Sequence, residues 1–301
     1  MKNRTFLFSI ACLSVLLVTS CSNPEAKQKD PRHIAYMKKL KYDLNKPTKK
    51  WELPDEASEI SGLTFYRENI IMFLNDEDGK VFTYDLNKEE VLEDYKFWKD
   101  NDFEGIEVVG NKIYTLQSDG DIISFVIDDD DADDIDKEET GLSDKNDTEG
   151  LGYDPFTDRL IIACKDKGDL DDKDVKGRVV YAYDYRSKKV VEEPVIQVRW
   201  EEIRDFLKDN GLDVFIGDSR KFRPSGVAVH PIDKNYYVLS STGKSIIAFD
   251  RNGKVVLYYT VPRKILEQPE GICFDAKGNL YLSSEGHDKD PVIVQYTMRN
   301  L

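Results

Sequence analysis

The chain has 301 residues, 40% hydrophobic and 34% charged, with a formal net charge of −15. Its apolar content suffices for one large core, and its charge repels nucleic acid and anionic lipid headgroups while favouring cations or basic partners. Nucleic acid is therefore set aside as a partner. Four cysteines, Cys12, Cys21, Cys164 and Cys273, offer neither a disulfide framework nor a Cys-x-x-Cys metal pattern. Cys164 and Cys273 fall in apolar runs, where buried free thiols are expected.

Lys2 and Arg4 precede an apolar run over residues 6–18, too short for a comfortable membrane span. Val18-Thr19-Ser20-Cys21 follows and resembles a bacterial lipobox. That resemblance implies a signal peptide over residues 1–20, cleavage before Cys21 and lipidation of Cys21. The alternative is an ordinary signal peptide that happens to contain a cysteine. Residues 21–35 are polar, with Pro24 and Pro31, and read as a flexible tether. Ser22 stands where an aspartate would suggest inner-membrane retention. The expectation is a monomer anchored by lipid in the bacterial cell envelope, at the outer membrane.

Residues 36–53 read as a strand that completes the last unit of a closed ring. The remaining chain is built on one recurring opening. It stands at Ser61-Gly62-Leu63, Glu104-Gly105-Ile106, Glu149-Gly150-Leu151, Ser225-Gly226-Val227 and Glu270-Gly271-Ile272. The glycines are 43, 45, 76 and 45 residues apart. Each opening starts an apolar run that leads through a turn into a second and a third run. In the first unit these runs are 63–65, 70–74 and 81–84, with Asp78-Gly79 as a hairpin turn. A period in the forties with several strands per unit predicts an all-β propeller of four-stranded blades over residues 36–301. In the long gap Trp200, Ile203, Phe206 and Leu207 share one helical face, so an inserted helix is predicted near 199–210. Five blades follow, with six as the alternative. Two acidic stretches, 128–136 and 166–174, read as solvated loops. The first lacks the glycine and terminal glutamate of an EF-hand.

The lipobox and the repeated openings resemble the SdiA-regulated (YjiK-like) family of bacterial propellers. Pro224-Ser225-Gly226-Val227-Ala228-Val229-His230-Pro231 and Pro269-Glu270-Gly271-Ile272-Cys273-Phe274-Asp275 carry most of the likeness. The resemblance implies a membrane-anchored, extracytoplasmic propeller. It supplies neither a substrate nor a mechanism.

In such a ring the start of each first strand and the end of each second strand lie on one rim. That places Glu104, Glu149, Glu270, Ser61 and Ser225 there. Glu59, Asp102, Asp147, Arg223 and Gln268 stand beside them, with Asp76, Asp119 and Glu285 at or just after second-strand ends. Converging carboxylates repel one another unless a cation intervenes, and hard oxygen donors suit Ca2+ first and Mg2+ second. The leading ligand set is Glu104, Glu149 and Glu270, followed by Asp102, Asp147 and Asp119. The bland alternative is that these glutamates only cap strand starts and face water. The function expected is binding of a divalent cation together with a ligand or protein partner in the central funnel. The rival is a metal-dependent phosphoesterase or lactonase in the same funnel, with His287 as a weak candidate base. His230 falls near the far end of its strand, toward the opposite rim.

Overall fold

The computed structural model describes residues 30–128, 131–170, 173–286 and 289–300. Residues 1–29, which hold the expected signal peptide, Cys21 and most of the expected tether, lie outside the described residues, as does His287.

Helix α1 (Pro31–Met37) and strand β1 (Lys49–Glu52) precede the first blade. Blade 1 is β2 (Ile60–Arg67), β3 (Ile70–Asn75), β4 (Lys80–Asp85) and β5 (Glu90–Lys96). Blade 2 is β6 (Phe103–Val109), β7 (Lys112–Gln117), β8 (Ile122–Asp128) and β9 (Asp131–Glu138). Blade 3 is β10 (Thr148–Asp154), β11 (Arg159–Cys164) and β12 (Val179–Asp184). Its outer edge is shared by β13 (Lys189–Val190) and β14 (Ile196–Gln197). Helices α2 (Trp200–Asp209) and α3 (Ile216–Ser219) follow. Blade 4 is β15 (Gly226–Val229), β16 (Tyr236–Ser240), β17 (Ser245–Phe249) and β18 (Val255–Thr260). Blade 5 is β19 (Pro269–Phe274), β20 (Leu280–Ser284) and β21 (Val292–Tyr296), completed by β1.

Five antiparallel sheets of this order form a five-bladed propeller. The ring closes as expected, with Lys49 opposite Gln295 and Glu52 opposite Val292. Closure removes the open edges that a linear array of sheets would leave at its ends. The inserted helix also falls where the periodicity placed it, and Ile203 and Leu207 are its buried face.

Three readings are corrected. Residues 36–53 are not one strand, because only the last stretch, β1, pairs. Before it the chain crosses beneath blades 4 and 5, where Tyr42 is buried. Part of the tether, from Pro31, is helical. Asp30 caps α1 by accepting from Arg32 N at 2.8 Å, and Tyr36 is 2% exposed, with its hydroxyl donating to the Tyr258 carbonyl. The acidic stretch after residue 130 is strand β9, pairing Lys137 with Ile123 and Asp136 with Ser124. As an outermost strand it meets water, so charge costs little and also blocks edge-to-edge association.

The repeated glycine has a packing reason. A Cβ at Gly62 would lie 2.8 Å from Ile106 N and 2.9 Å from Gly105 Cα. At Gly105 it would meet Leu151 N at 2.7 Å, at Gly150 Gly226 Cα at 2.8 Å, and at Gly226 Glu270 O at 2.7 Å. At Gly271 it would meet Leu63 and Ser61, which closes the circle. Each inner strand therefore passes its neighbour backbone against backbone, and a ring of five blades leaves no room for a side chain there. Apolar clusters fill the wedges between blades. One packs Met72 and Leu74 of blade 1 on Ile106 and Ile113 of blade 2.

Candidate functional site: the acidic funnel mouth

The glycine ring closes the axis to a cavity of about 10 Å³, lined by these glycines with Glu104, Glu149, Ser225 and Glu270. Above it the funnel opens onto the rim predicted from the strand order. Backbone bonds hold the two halves of that rim together within blades: Asp76 N to Glu59 O at 3.0 Å, Ser118 N to Asp102 O at 3.0 Å, Lys165 N to Asp147 O at 2.9 Å and Glu285 N to Gln268 O at 3.1 Å.

In four blades the pairing of first and second strands slips at the motif, between Ile60 and Leu63, Phe103 and Gly105, Thr148 and Gly150, and Pro269 and Ile272. Such a bulge re-aims the extra side chain, here Ser61, Glu104, Glu149 or Glu270. Where that residue is serine it ties blades together. Ser61 Oγ donates to Phe103 O at 2.7 Å, and Ser225 Oγ to Pro269 O at 3.4 Å.

Where it is glutamate, three carboxyls converge. Burial, then the charges of Glu149, Asp102 and Glu270, push Glu104 up to about 10. Burial lifts Glu149 to about 7 against the pull of Lys165. Burial, then Glu149 and Glu285, lifts Glu270 to about 8. At neutral pH part of this trio is therefore protonated.

The predicted ligands do not form one equivalent set. Glu149 is ion-paired to Lys165. Asp147 faces Lys165 at 3.8 Å and Arg223 at 3.6 Å, and Arg223 also pairs with Asp166. Asp119 accepts from Asp121 N at 3.1 Å and caps its own turn. Asp102 and Glu104 remain on the acidic side with Glu270.

Among the described residues, the tightest gathering of carboxylates is elsewhere on the same rim. Glu59, Asp76 and Glu285 each offer an oxygen within 4.8 Å of the others. Burial, then the charges of Glu59 and Glu285, lift Asp76 to about 7. Among the described residues Asp76 Oδ1 is buried without a hydrogen-bond partner. So are both amide atoms of Gln117, which is 1% exposed. Gln117 pairs in register with Phe103, whose amide donates to the Asp76 carbonyl at 2.8 Å. The strand order put Glu59, Asp76 and Glu285 on the rim. What it lacked was the meeting of blade 5 with blade 1, which ring closure supplies.

His230 is fully buried at the opposite face, 2.8 Å from the Tyr42 hydroxyl. Its Nδ1 accepts from Ile232 N at 3.2 Å and Asp233 N at 3.0 Å. Burial lowers it to about 4. It is a neutral structural group and supplies no base to the funnel.

The molecule is thus a five-bladed propeller with an acidic mouth, closed below by a glycine ring. Residues 32–177 and 219–287 match the model of the SdiA-regulated family, and the chain belongs to that family. No curated protein matches it by sequence. Among solved structures it is similar to a luciferin-regenerating enzyme, with 11% identity and a TM-score of 0.52, covering 85% of this chain and 98% of that one. It is similar to the PQQ-bound aldose sugar dehydrogenase of Streptomyces coelicolor, with 10% identity and a TM-score of 0.50, covering 84% and 98%. A structural-genomics protein of unknown function from Bacteroides thetaiotaomicron VPI-5482 gives 10% identity and a TM-score of 0.50, covering 79% and 56%. At these identities the likeness concerns the fold.

Proposed function

We propose that this chain is a lipid-anchored propeller of the bacterial cell envelope, at the outer membrane. It binds a divalent cation, Ca2+ before Mg2+, and with it a ligand or protein partner at the funnel mouth. The observation that carries the cation reading is the Glu59–Asp76–Glu285 triad with its unpartnered Asp76 Oδ1. Three carboxylates this close repel strongly in a partly desolvated site, and a hard cation with flexible oxygen coordination relieves them. Asp102 and Glu104 extend the acidic wall toward the axis. The opposite wall carries Lys165 and Arg223, and Arg223 Nε is buried without a partner among the described residues. A partner with an anionic group could therefore meet the cation on one side and the guanidinium on the other. The anchor rests on Cys21 and the residues before it.

Calorimetric titration of the metal-free protein with Ca2+ and Mg2+ tests this. Binding that Asp76→Asn and Glu285→Gln abolish supports the triad. Binding lost only in Glu104→Gln, Glu149→Gln and Glu270→Gln moves the ion to the axis. No heat at millimolar Ca2+ rejects the reading.

A further inference from the structure

The net charge of −15 is unevenly spread over the face opposite the mouth, where the β8–β9 hairpin of blade 2 carries exposed Asp128, Asp131, Asp133 and Asp134. The lower hairpins of blades 3, 4 and 5 also carry aspartates, but these are turned inward onto turn amides. Asp184 accepts from Arg186 N and Ser187 N at 3.1 Å, and Asp250 from Asn252 N and Lys254 N at 2.9 Å. Asp275 accepts from Lys277 N at 2.9 Å and Asn279 N at 2.8 Å. The basic side chains of the same turns, among them Lys234, Lys254 and Lys277, stand outward and exposed. Beneath blades 3 and 4, Phe156 is 43% exposed, with Lys234 Nζ 4.9 Å and the Arg251 guanidinium 5.9 Å from its ring centre. Ile232, 50% exposed, is on the same hairpin as Lys234, toward Gly278 of blade 5. An exposed aromatic and an aliphatic side chain set among lysines suit the interface of an anionic bilayer.

The chain also enters on this side. Arg32 Nη1 donates to the Lys208 carbonyl at 2.8 Å, and His33 Nδ1 lies 3.3 Å from the Gly211 carbonyl, so α1 begins at the end of α2. That end shares a cleft with Asn252 and Gly253 of a lower hairpin. Cys21 precedes Asp30 by nine residues in sequence, which span at most about 30 Å.

We infer that the face formed by the lower hairpins of blades 3, 4 and 5 rests on an anionic lipid surface, with the funnel mouth turned away from the membrane. This rests on the anchor reading. It replaces the repulsion from anionic headgroups that net charge alone suggests, because screening confines the effective field to about 8 Å and the nearest charges decide.

Hydrogen exchange on the full acylated chain tests it, in vesicles of phosphatidylglycerol with phosphatidylethanolamine and in vesicles of phosphatidylcholine. The hairpins at 154–159, 230–235 and 275–279 exchange several-fold more slowly on the anionic vesicles, while rim turns at 76–79 and 117–121 do not change. Lys234→Gln, Lys254→Gln and Lys277→Gln each weaken the preference for anionic vesicles roughly fivefold, the effect of one basic residue near such a surface. Equal exchange on both vesicles by an acylated chain, or protection of the rim turns, overturns the inference. Mass spectrometry of the Cys21 peptide separates the two failures. A chain without acyl mass defeats the anchor reading, and this inference with it.

Discussion

The two ends of the propeller both bury ionisable groups, and they treat them in opposite ways. At the lower end, His230, Tyr42, Asp233 and Lys41 form a closed set. Tyr42 donates to Gly278 O at 2.5 Å, the His230 ring bonds on both nitrogens, and Lys41 pairs with Asp233 at 2.6 Å. At the mouth, half-buried Asp76 and Glu285 crowd against exposed Glu59; Glu285 accepts from Gln268 Nε2, but Asp76 Oδ1 and the Gln117 amide are buried without a hydrogen-bond partner among the described residues. A satisfied buried cluster stabilises a fold, whereas an unsatisfied one costs stability and is kept where a ligand completes it. Tyr296 Oη near the lower end also lacks a partner among the described residues, so it is the joining of an unpartnered oxygen with converging charge that marks the mouth as the candidate site.

The largest predicted effect concerns the boundary between the two ends. Gly105→Ala or Gly150→Ala places a methyl within 2.8 Å of an adjacent inner strand, where backbone cannot yield. The expected loss is about 3 kcal/mol or more in denaturant unfolding. A loss under about 1 kcal/mol would mean the ring is looser than described. Next, Tyr42→Phe removes the hydroxyl shared by His230 and Gly278. It should cost roughly 2 kcal/mol while leaving cation affinity unchanged. Asp76→Asn should act with the opposite sign. Without cation it removes a repelled carboxylate and stabilises by about 1 kcal/mol, and it lowers Ca2+ affinity at least about tenfold. If Asp76→Asn destabilises the metal-free protein as Tyr42→Phe does, the contrast between the ends fails.

Much of the contrast was legible in the sequence. The Gly62, Gly105, Gly150, Gly226 and Gly271 spacing defined the blades, and strand order alone put Asp76, Glu104, Glu149, Glu270 and Glu285 on one rim and His230 on the other. The pairing of rim charges was not legible. Lys165 is recruited to Glu149 and Arg223 to Asp147 by contacts within and between blades 3 and 4, and these depend on side-chain reach. The Glu59–Asp76–Glu285 triad joins residues more than two hundred positions apart across the ring closure. Strand β9 was missed because an outermost strand need not alternate apolar and polar residues. The helical start at Pro31 was missed because a seven-residue helix leaves too short a pattern, even with Asp30 as its cap.

The pH dependence above about pH 7 reports the mouth, because His230 at the lower end is already neutral in the folded and the unfolded chain there. Asp76 and Glu149 at about 7, Glu270 at about 8 and Glu104 at about 10 all stand above their unfolded values. Each holds a proton in the folded state that the unfolded chain has already released. Their contribution is therefore fully present below the unfolded carboxylate pKa, and is lost as pH rises through the folded values. The metal-free protein should lose stability from about pH 4.5 to pH 10, most steeply below about pH 7 where all four groups still hold their protons, by up to about 1.4 kcal/mol per pH unit for each group still protonated.

Thermal melting of the protein across that pH range, with chelator and with millimolar Ca2+ or Mg2+, addresses the cation site most directly. The account predicts a melting temperature that falls with rising pH in chelator and is restored by Ca2+, more than by Mg2+, with the largest gain at alkaline pH where the carboxylates are ionised. A melting temperature indifferent to Ca2+ at every pH would contradict it and leave the acidic mouth as a hydrated surface.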